Sequence, residues 1–549
     1  MGFFNILMKK TFKAMGVRYA MLFPEKRAFF LALTLSLPVL LLFSFFSGPN
    51  LAGAQSPRPY FTDIGQFNYA RFLSNGGEDR AAAREYARLI EEFPSSPLLP
   101  ESHLRMSEAY LKAGLLKEAE ENLKLFLSNF KDSPLVPEAG RLLEEASGRI
   151  REEGGYASAG PLSGRRMGEY GAVYEAPEQE DTGIRAVQVS LFEAESYPEI
   201  DAEMGRLKKS GINTVIVRVF HNEGDRFHGV VRKKNRVLSS GVYFRTEKAP
   251  VIEDLLTPIA AVARRNGLMV FAWMTTRYAD YGLVERDGLG CRSYDIRSGK
   301  YTDCRGLDLF NEEAVRRLEA IYSDLARNDI DGVLFQDDLV LRHNEGFGPR
   351  ASALFRKETG LALDPSKFYM ISGDGAIHYT PLFWRWASWK NSRLLDIAAR
   401  LRARAREKNP DIRFAINLMY ESVTNPPYAL AWLSQSLGEA VKRGFDYYSV
   451  MAYHRQMEEE LGKDGYAIKG LIGRLARDAL ASVGNPNKVL IKLQTVDFTT
   501  GAPLSDDEVV WLIRDMKRIK GLSIAVVPYR RGFPFHELKG DGGGLALLD

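Results

Sequence analysis

The 549-residue chain is short of several things, and each shortage closes off a class of function. It has two cysteines, too few for a disulfide-rich scaffold or a four-cysteine metal site. It has little net charge, 74 Lys and Arg against 70 Asp and Glu. No basic block interleaved with aromatics occurs, so nothing argues for a nucleic-acid partner. Its seven histidines are His103, His221, His228, His343, His378, His454 and His536, and no two lie four apart. No pair therefore has the spacing of metal ligands on one helix face, and no metal or other cofactor is expected. No G-x-G-x-x-G follows the first strand candidate, which leaves a dinucleotide-binding sheet unsupported. What remains is ordinary globular composition, 45% hydrophobic and 26% charged. That excludes a disordered chain, a collagen or a polytopic membrane protein.

The N-terminus is different in character. Lys9, Lys10, Lys13, Arg18, Lys26 and Arg27 face the single acid Glu25, and an uncharged stretch runs from Ala28 to Ser47. About 20 such residues span a bilayer. The basic flank should stay in the cytoplasm. Ala52-Gly53-Ala54 has the small residues of a signal cleavage site. Residues 1–54 therefore read as a signal peptide cut after Ala54 or as an uncleaved anchor through residues 28–47. Either delivers the rest of the chain to the periplasm or cell envelope.

Residues 63–150 read as helical. Phe93-Pro94-Ser95-Ser96-Pro97-Leu98-Leu99-Pro100-Glu101 recurs 37 residues later as Phe130-Lys131-Asp132-Ser133-Pro134-Leu135-Val136-Pro137-Glu138. Ala82 and Ala119 share the offset. This resembles tetratricopeptide repeats, whose period is about 34. Such a region either docks a partner protein or an extended polymer, or acts as a spacer. Residues 151–183 lose periodicity and gain glycine, the mark of a linker.

From Ile184 onward eight strand candidates alternate with helical stretches. The strand candidates are Ala186–Leu191, Thr214–Phe220, Leu268–Met274, Gly332–Gln336, Ile412–Leu418, Tyr447–Ala452, Val489–Leu493 and Ser523–Val527. They are short and apolar, as strands buried on both faces are. The predicted class is α/β, a (β/α)₈ TIM-type barrel over residues 184–549, with a doubly wound sheet as the competitor.

A barrel places its chemistry at the C-terminal strand ends. Asp337 and Asp338 end strand four, and Glu421 follows strand five as the best-placed second carboxylate. Arg218, His221, Trp273, Asn417, Tyr453, His454, Gln494 and Tyr529 occupy other strand ends. Aromatic faces cover sugar rings, amides and carboxylates bond hydroxyls, and a carboxyl of raised pKa can protonate a glycosidic oxygen. Successive side chains on a strand diverge, so one of the two aspartates can face the mouth while the other braces it. Cys291 and Cys304 sit 13 residues apart in the loop after strand three. Export would permit a disulfide between them; two unrelated thiols are the alternative.

Three stretches give a family resemblance. They are Gly241-Val242-Tyr243-Phe244 leading to Val270-Phe271-Ala272-Trp273-Met274, the run Asp331 to Leu341, and Ser449-Val450-Met451-Ala452-Tyr453. From Ile184 the chain resembles the C-terminal glycoside-hydrolase domain of the periplasmic poly-β-1,6-N-acetylglucosamine N-deacetylases of biofilm exopolysaccharide export. The resemblance implies that Asp337 and Asp338 line a sugar-binding groove. It also implies a polysaccharide substrate, cleavage of partially deacetylated polymer, and export-porin or synthase partners reached through the helical repeats. Two departures stand out. The family's third strand-four aspartate is replaced by His343, with Glu345 two residues on. Helical repeats also stand where the deacetylase half would be. A non-catalytic polysaccharide-binding scaffold and a peptidoglycan hydrolase are the alternatives.

Overall fold

The computed structural model describes residues 62–154 and 183–539, apart from 191, 193, 195, 223–239, 284–287 and 374. The expected membrane segment, its cleavage site and most of the expected linker lie outside the described residues. Among the described residues, no helix is long and apolar enough to cross a membrane.

Five helices come first: α1 (Asp63–Asn75), α2 (Asp79–Glu92), α3 (Leu99–Lys112), α4 (Leu116–Asn129) and α5 (Val136–Gly154). The starts of α2 and α4, and those of α3 and α5, keep the 37-residue offset of the sequence repeat. The repeated turn has a physical cause. The N–H of Ser96 bonds the carbonyl of Phe93, and that of Ser133 bonds Phe130. Each serine hydroxyl then accepts the N–H two residues on, from Leu98 and from Leu135, and launches the next helix. Ala82 and Ala119 are fully buried where the helices meet. The first residues of the expected linker, 151–154, belong to α5.

Eight parallel strands follow: β1 (Arg185–Val189), β2 (Thr214–Arg218), β3 (Met269–Met274), β4 (Gly332–Phe335), β5 (Arg413–Met419), β6 (Tyr447–Met451), β7 (Val489–Gln494) and β8 (Ser523–Val527). They pair in chain order, and β8 returns to β1 to close the barrel. Alternation along each strand sorts the side chains. Ala186, Ile216, Phe271, Leu334, Ala415, Leu490 and Ala525 form a layer inside the barrel. Val187, Val215, Val270, Val333, Phe414, Ile491 and Val526 belong to the larger core beneath the helices. Gly332 on β4 leaves the space that the Phe271 ring fills.

The principal outer helices are α6 (Tyr197–Lys209), α7 (Leu256–Arg265), α8 (Glu312–Leu325), α9 (Pro349–Thr359), α10 (Pro381–Arg406), α11 (Pro426–Leu433), α12 (Leu437–Lys442), α13 (His454–Leu461), α14 (Gly465–Val483) and α15 (Asp506–Lys517). The chain breaks between α11 and α12. Ser434 adopts a left-handed φ of 50° that ends α11, and the Ser436 hydroxyl caps α12 by accepting the N–H of Glu439. Between β4 and β5 an aromatic core gathers Phe355, Phe383, Trp384 and Trp386, and Tyr69 of α1 enters it.

Candidate active site

One step along the inner face of the barrel changes its chemistry. Two residues beyond members of this layer, and beyond Tyr447 packed against it, the same face carries Gln188, Arg218, Trp273, Gln336, Asn417, Ser449 and Lys492. This polar ring floors the mouth at the C-terminal strand ends. The Arg218 guanidinium lies 5.6 Å from the Trp273 ring and 4.7 Å from that of Phe220. The Trp273 indole N–H donates to the Gln336 side chain, which fixes the ring. Across the mouth, Asn417 Oδ1 lies 3.1 Å from the Ser449 hydroxyl and 3.4 Å from Lys492 Nζ. That ammonium also sits 5.7 Å from the centre of the Tyr453 ring.

The chain leaves β4 at Phe335, and its two aspartates part. Asp338 is fully buried. Its carboxylate accepts the Thr275 hydroxyl at 2.6 Å, the Thr276 hydroxyl at 2.7 Å and the Tyr278 N–H at 2.8 Å. The Thr276 N–H reaches both of its oxygens. Asp338 is thus a brace for the loop after β3, with no lone pair to spare for a substrate. Asp337 is half-buried at the mouth, and its charge acts on Lys492 and Tyr453. Burial pushes the Lys492 ammonium down to about 7, while Asp337 pulls it up. Burial first, and Asp337 second, hold the Tyr453 phenol well above its ordinary value.

The same loop is braced a second time. Arg277 and Glu345 are both buried, and their ion pair is 2.6 Å long. The hairpin Gly290–Asp295 with Lys300–Leu307 clamps the segment around Glu345 through Tyr294 N–H to Asn344 O and Gly346 N–H to Arg292 O. Cys291 and Cys304 face each other across this hairpin and are joined by a disulfide, their Cα atoms 5.0 Å apart. His343 is buried, and its ring stacks on Trp432 at 4.3 Å. Burial, helped by Lys390 and Arg342, pushes its imidazole down to about 3. Neither His343 nor Glu345 brings a carboxylate to the mouth.

Of the residues chosen from sequence, the structure brings Asp337, Arg218, Trp273, Asn417 and Tyr453 to the mouth. It turns several others away. Gln494 is buried and caps α13: its side-chain oxygen accepts the N–H groups of Arg455 and Gln456. His454 Nε2 lies 2.7 Å from the Glu508 carboxylate on α15. The Tyr529 hydroxyl donates to Glu203 on α6, and its ring stacks on Phe535. His221 is buried in a two-residue ladder with Gly241. Glu421 opens the single turn Glu421–Thr424 after β5 and is half-buried there. Among the described residues, no cluster of His, Cys, Asp or Glu could hold a metal.

Sequence reasoning missed Lys492 and Phe498. The signal for Lys492 was a lone cation inside the apolar strand Val489–Gln494. Phe498 is exposed, and its ring meets that of Tyr453 edge-on at 5.0 Å. It sits on a turn fixed by Asp497, whose carboxylate accepts the N–H groups of Thr499 and Thr500.

The profile of hypothetical glycosyl hydrolase family 13 matches residues 194–529. Among solved structures, the chain is similar to the glycoside hydrolase domain of PgaB (BpsB) from Bordetella bronchiseptica. The identity is 23% and the TM-score 0.51, over 63% of this chain and 94% of that one. Alpha-L-fucosidase isoenzyme 2 from Paenibacillus thiaminolyticus matches with 12% identity and a TM-score of 0.39, over 65% of this chain and 48% of that one. No curated protein matches.

Proposed function

The chain belongs to hypothetical glycosyl hydrolase family 13, and from that membership we propose that its barrel mouth binds and cleaves a β-linked amino-sugar exopolysaccharide of the partially deacetylated poly-N-acetylglucosamine type. The observation that carries the reading is the division between the two aspartates. Asp338 is consumed in bracing the loop after β3, while Asp337 stands at the mouth against Lys492 and Tyr453.

In this reading Asp337 protonates the glycosidic oxygen, and the electron pair of the breaking C–O bond stays with that oxygen. The carboxylate that forms as the proton is passed on is stabilised by the Lys492 ammonium. Trp273 and Phe498 offer faces for pyranose rings, and Asn417 and Arg218 supply polar contacts to hydroxyl or acetamido groups. The acetamido group of the substrate itself can take the place of an enzymic nucleophile. Glu421 is the candidate where a second carboxylate is required. The basic and apolar N-terminal residues and the Cys291–Cys304 bond support action outside the cytoplasm, in the periplasm or envelope.

One observation favours a second reading, a polymer-binding component of an export machine without hydrolysis. The position where the resembled family carries a third acid holds His343, packed against Trp432. One experiment separates the two. Purified protein is incubated with partially deacetylated and with fully acetylated β-1,6-linked oligomers, and the products are sized by mass spectrometry. Shortened products that vanish in Asp337→Asn support hydrolysis. Binding without shortening supports the scaffold.

A further inference from the structure

The first described residue, Thr62, stands beside a hairpin that follows β4. The strands Tyr369–Ile371 and Ile377–Tyr379 of this hairpin pair antiparallel, with Met370 opposite His378. Its root is fixed. Tyr369 and Tyr379 are buried in the aromatic core, and the Tyr379 ring stacks on Phe383 at 3.9 Å. The Thr62 hydroxyl lies 3.4 Å from the His378 ring, so the chain leading in from the N-terminus arrives one strand away from Met370. The end of this hairpin meets the end of the disulfide hairpin, where the Arg297 guanidinium donates to the Gly375 carbonyl at 3.4 Å.

Beyond the buried root, apolar side chains stand in solvent. Met370 is 50% exposed, Ile371 51%, and Tyr301 on the disulfide hairpin 51%. Single exposed apolar residues are ordinary, but three of them on two hairpins whose ends touch mark a contact surface. Met370 and Ile371 are consecutive, so their side chains leave opposite faces of the strand, and both faces are open there. Arg297 and Lys300 are exposed at the end of the neighbouring hairpin. The acids beside them are engaged by local donors. Asp295 accepts the N–H groups of Arg297 and Ser298, Asp303 pairs with Arg292 at 2.7 Å, and Asp364 accepts the N–H of Ser366 and lies 3.7 Å from Lys367. Apolar ends that carry a tyrosine and long cations match the headgroup boundary of a bilayer. There the apolar groups leave water, the phenol sits at the interface and the cations reach lipid phosphates.

We infer that these two hairpins rest on the bilayer that residues 28–47 enter, with Met370 and Ile371 dipping into its headgroup layer. The length of the lead-in chain supports this occupant over any other. Residues 48–61 separate the apolar stretch from Thr62 and reach about 50 Å at most when fully extended. An anchored chain therefore keeps the Met370 hairpin near the lipid, since the tether joins the folded body at that hairpin. The inference rests on the anchor reading of the N-terminus and not on hydrolysis at the mouth. It has a consequence for the mouth all the same. Both hairpins belong to the segments that follow β3 and β4, at the strand ends from which the mouth is built. Lipid contact there holds the mouth at the membrane surface, where a polymer emerging from the membrane would meet it.

The test uses the full chain in vesicles of phosphatidylethanolamine and phosphatidylglycerol, some prepared with brominated acyl chains. Both native cysteines are joined in the disulfide, so a single introduced cysteine can carry a polarity-sensitive fluorophore. Met370→Cys and Ile371→Cys place it on the hairpin. Asp411→Cys places it at an exposed position before β5, at the other end of the barrel. Labels at 370 and 371 should shift their emission to the blue and be quenched by the brominated lipid, and the label at 411 should do neither. Circular dichroism identifies a variant that has lost its fold, and either hairpin position can stand for the other. Equal behaviour at the three positions overturns the inference. So does a hairpin label shielded from aqueous iodide but untouched by brominated lipid, which assigns the surface to a second copy or a protein partner. Wild-type chain released from the vesicles by an alkaline carbonate wash removes the anchor reading and this inference with it, and leaves the reading of the mouth standing.

Discussion

Asp338 receives the main-chain N–H of Thr276 through both of its carboxylate oxygens, at 3.0 and 2.9 Å. A carboxylate held this way fixes a loop, and that divides the neighbouring aspartates by function. Asp338→Asn replaces an acceptor with an amide that meets the same donors. It should cost about 2–3 kcal/mol, as loss of hydrogen bonds to a buried charge does, visible as a lower denaturation midpoint. Asp337→Asn should leave that midpoint in place and lower cleavage by about 10²–10⁴-fold. The reverse pattern, a stable Asp338→Asn without activity and a fully active Asp337→Asn, would exchange the two assignments.

Lys492 gives the proposed reaction a pH signature. Burial lowers its ammonium to about 7 against the opposing pull of Asp337. Below that value the lysine carries its proton and can stabilise the Asp337 carboxylate as the acid is spent; above it the amine is neutral. Cleavage should therefore decline as pH rises through about 7. In Lys492→Met the rate should be low throughout, and the alkaline limb, now set by Asp337 without its neighbouring cation, should move to higher pH. A pH–rate profile of kcat/KM on a defined oligomer measures both. An unchanged limb in the variant would remove Lys492 from the mechanism.

His343 makes the opposite kind of prediction, about stability. Its folded value of about 3 lies below the ordinary 6.5, chiefly because of burial. Between those values the unfolded chain binds a proton that the native chain does not. Stability must then fall as pH drops from 6.5 toward 3, with a slope of up to about 1.4 kcal/mol per pH unit from this group. His343→Gln cannot titrate and should flatten that part of the profile, whatever it costs at neutral pH. Urea denaturation at several pH values reads the slope. A variant as acid-sensitive as the wild type would place the responsible group elsewhere.

The barrel was legible because its strands are buried on both faces. Val489-Leu490-Ile491 and Thr214-Val215-Ile216-Val217 read as strands whatever surrounds them. The site was legible only as far as strand ends go. Sequence position puts Gln494 and Tyr529 on the rim, but the helix N-terminus at α13 and the Glu203 carboxylate claim them. Such claims come from residues distant in the chain, and no local pattern announces them. Lys492 was passed over for the converse reason: it lies within a strand and not at its end. Counting two residues beyond the apolar inner layer would have found it, along with Asn417, Arg218 and Trp273.

The disulfide hairpin supports the loop that the two buried braces hold. The Cys291–Cys304 bond closes a hairpin, and the main chain of that hairpin holds Asn344 and Gly346 on either side of Glu345, the partner of Arg277. Closing so short a loop is worth about 3 kcal/mol in the chain-entropy view. That constraint acts on the unfolded chain, and in a domain of this size it moves the melting temperature by only about a few degrees. Replacing both cysteines by serine should therefore lower the melting temperature modestly and leave the barrel's far-ultraviolet circular dichroism intact. Its larger effect should fall on the mouth. A looser hairpin frees the segment around Glu345, then Arg277, then the loop that Asp338 braces, so KM for oligomers should rise more than kcat falls. Thiol titration of denatured, unreduced protein checks the premise: two reactive thiols per chain would show that the bond does not form. A serine variant with unaltered kinetics would show that the hairpin does not shape the mouth.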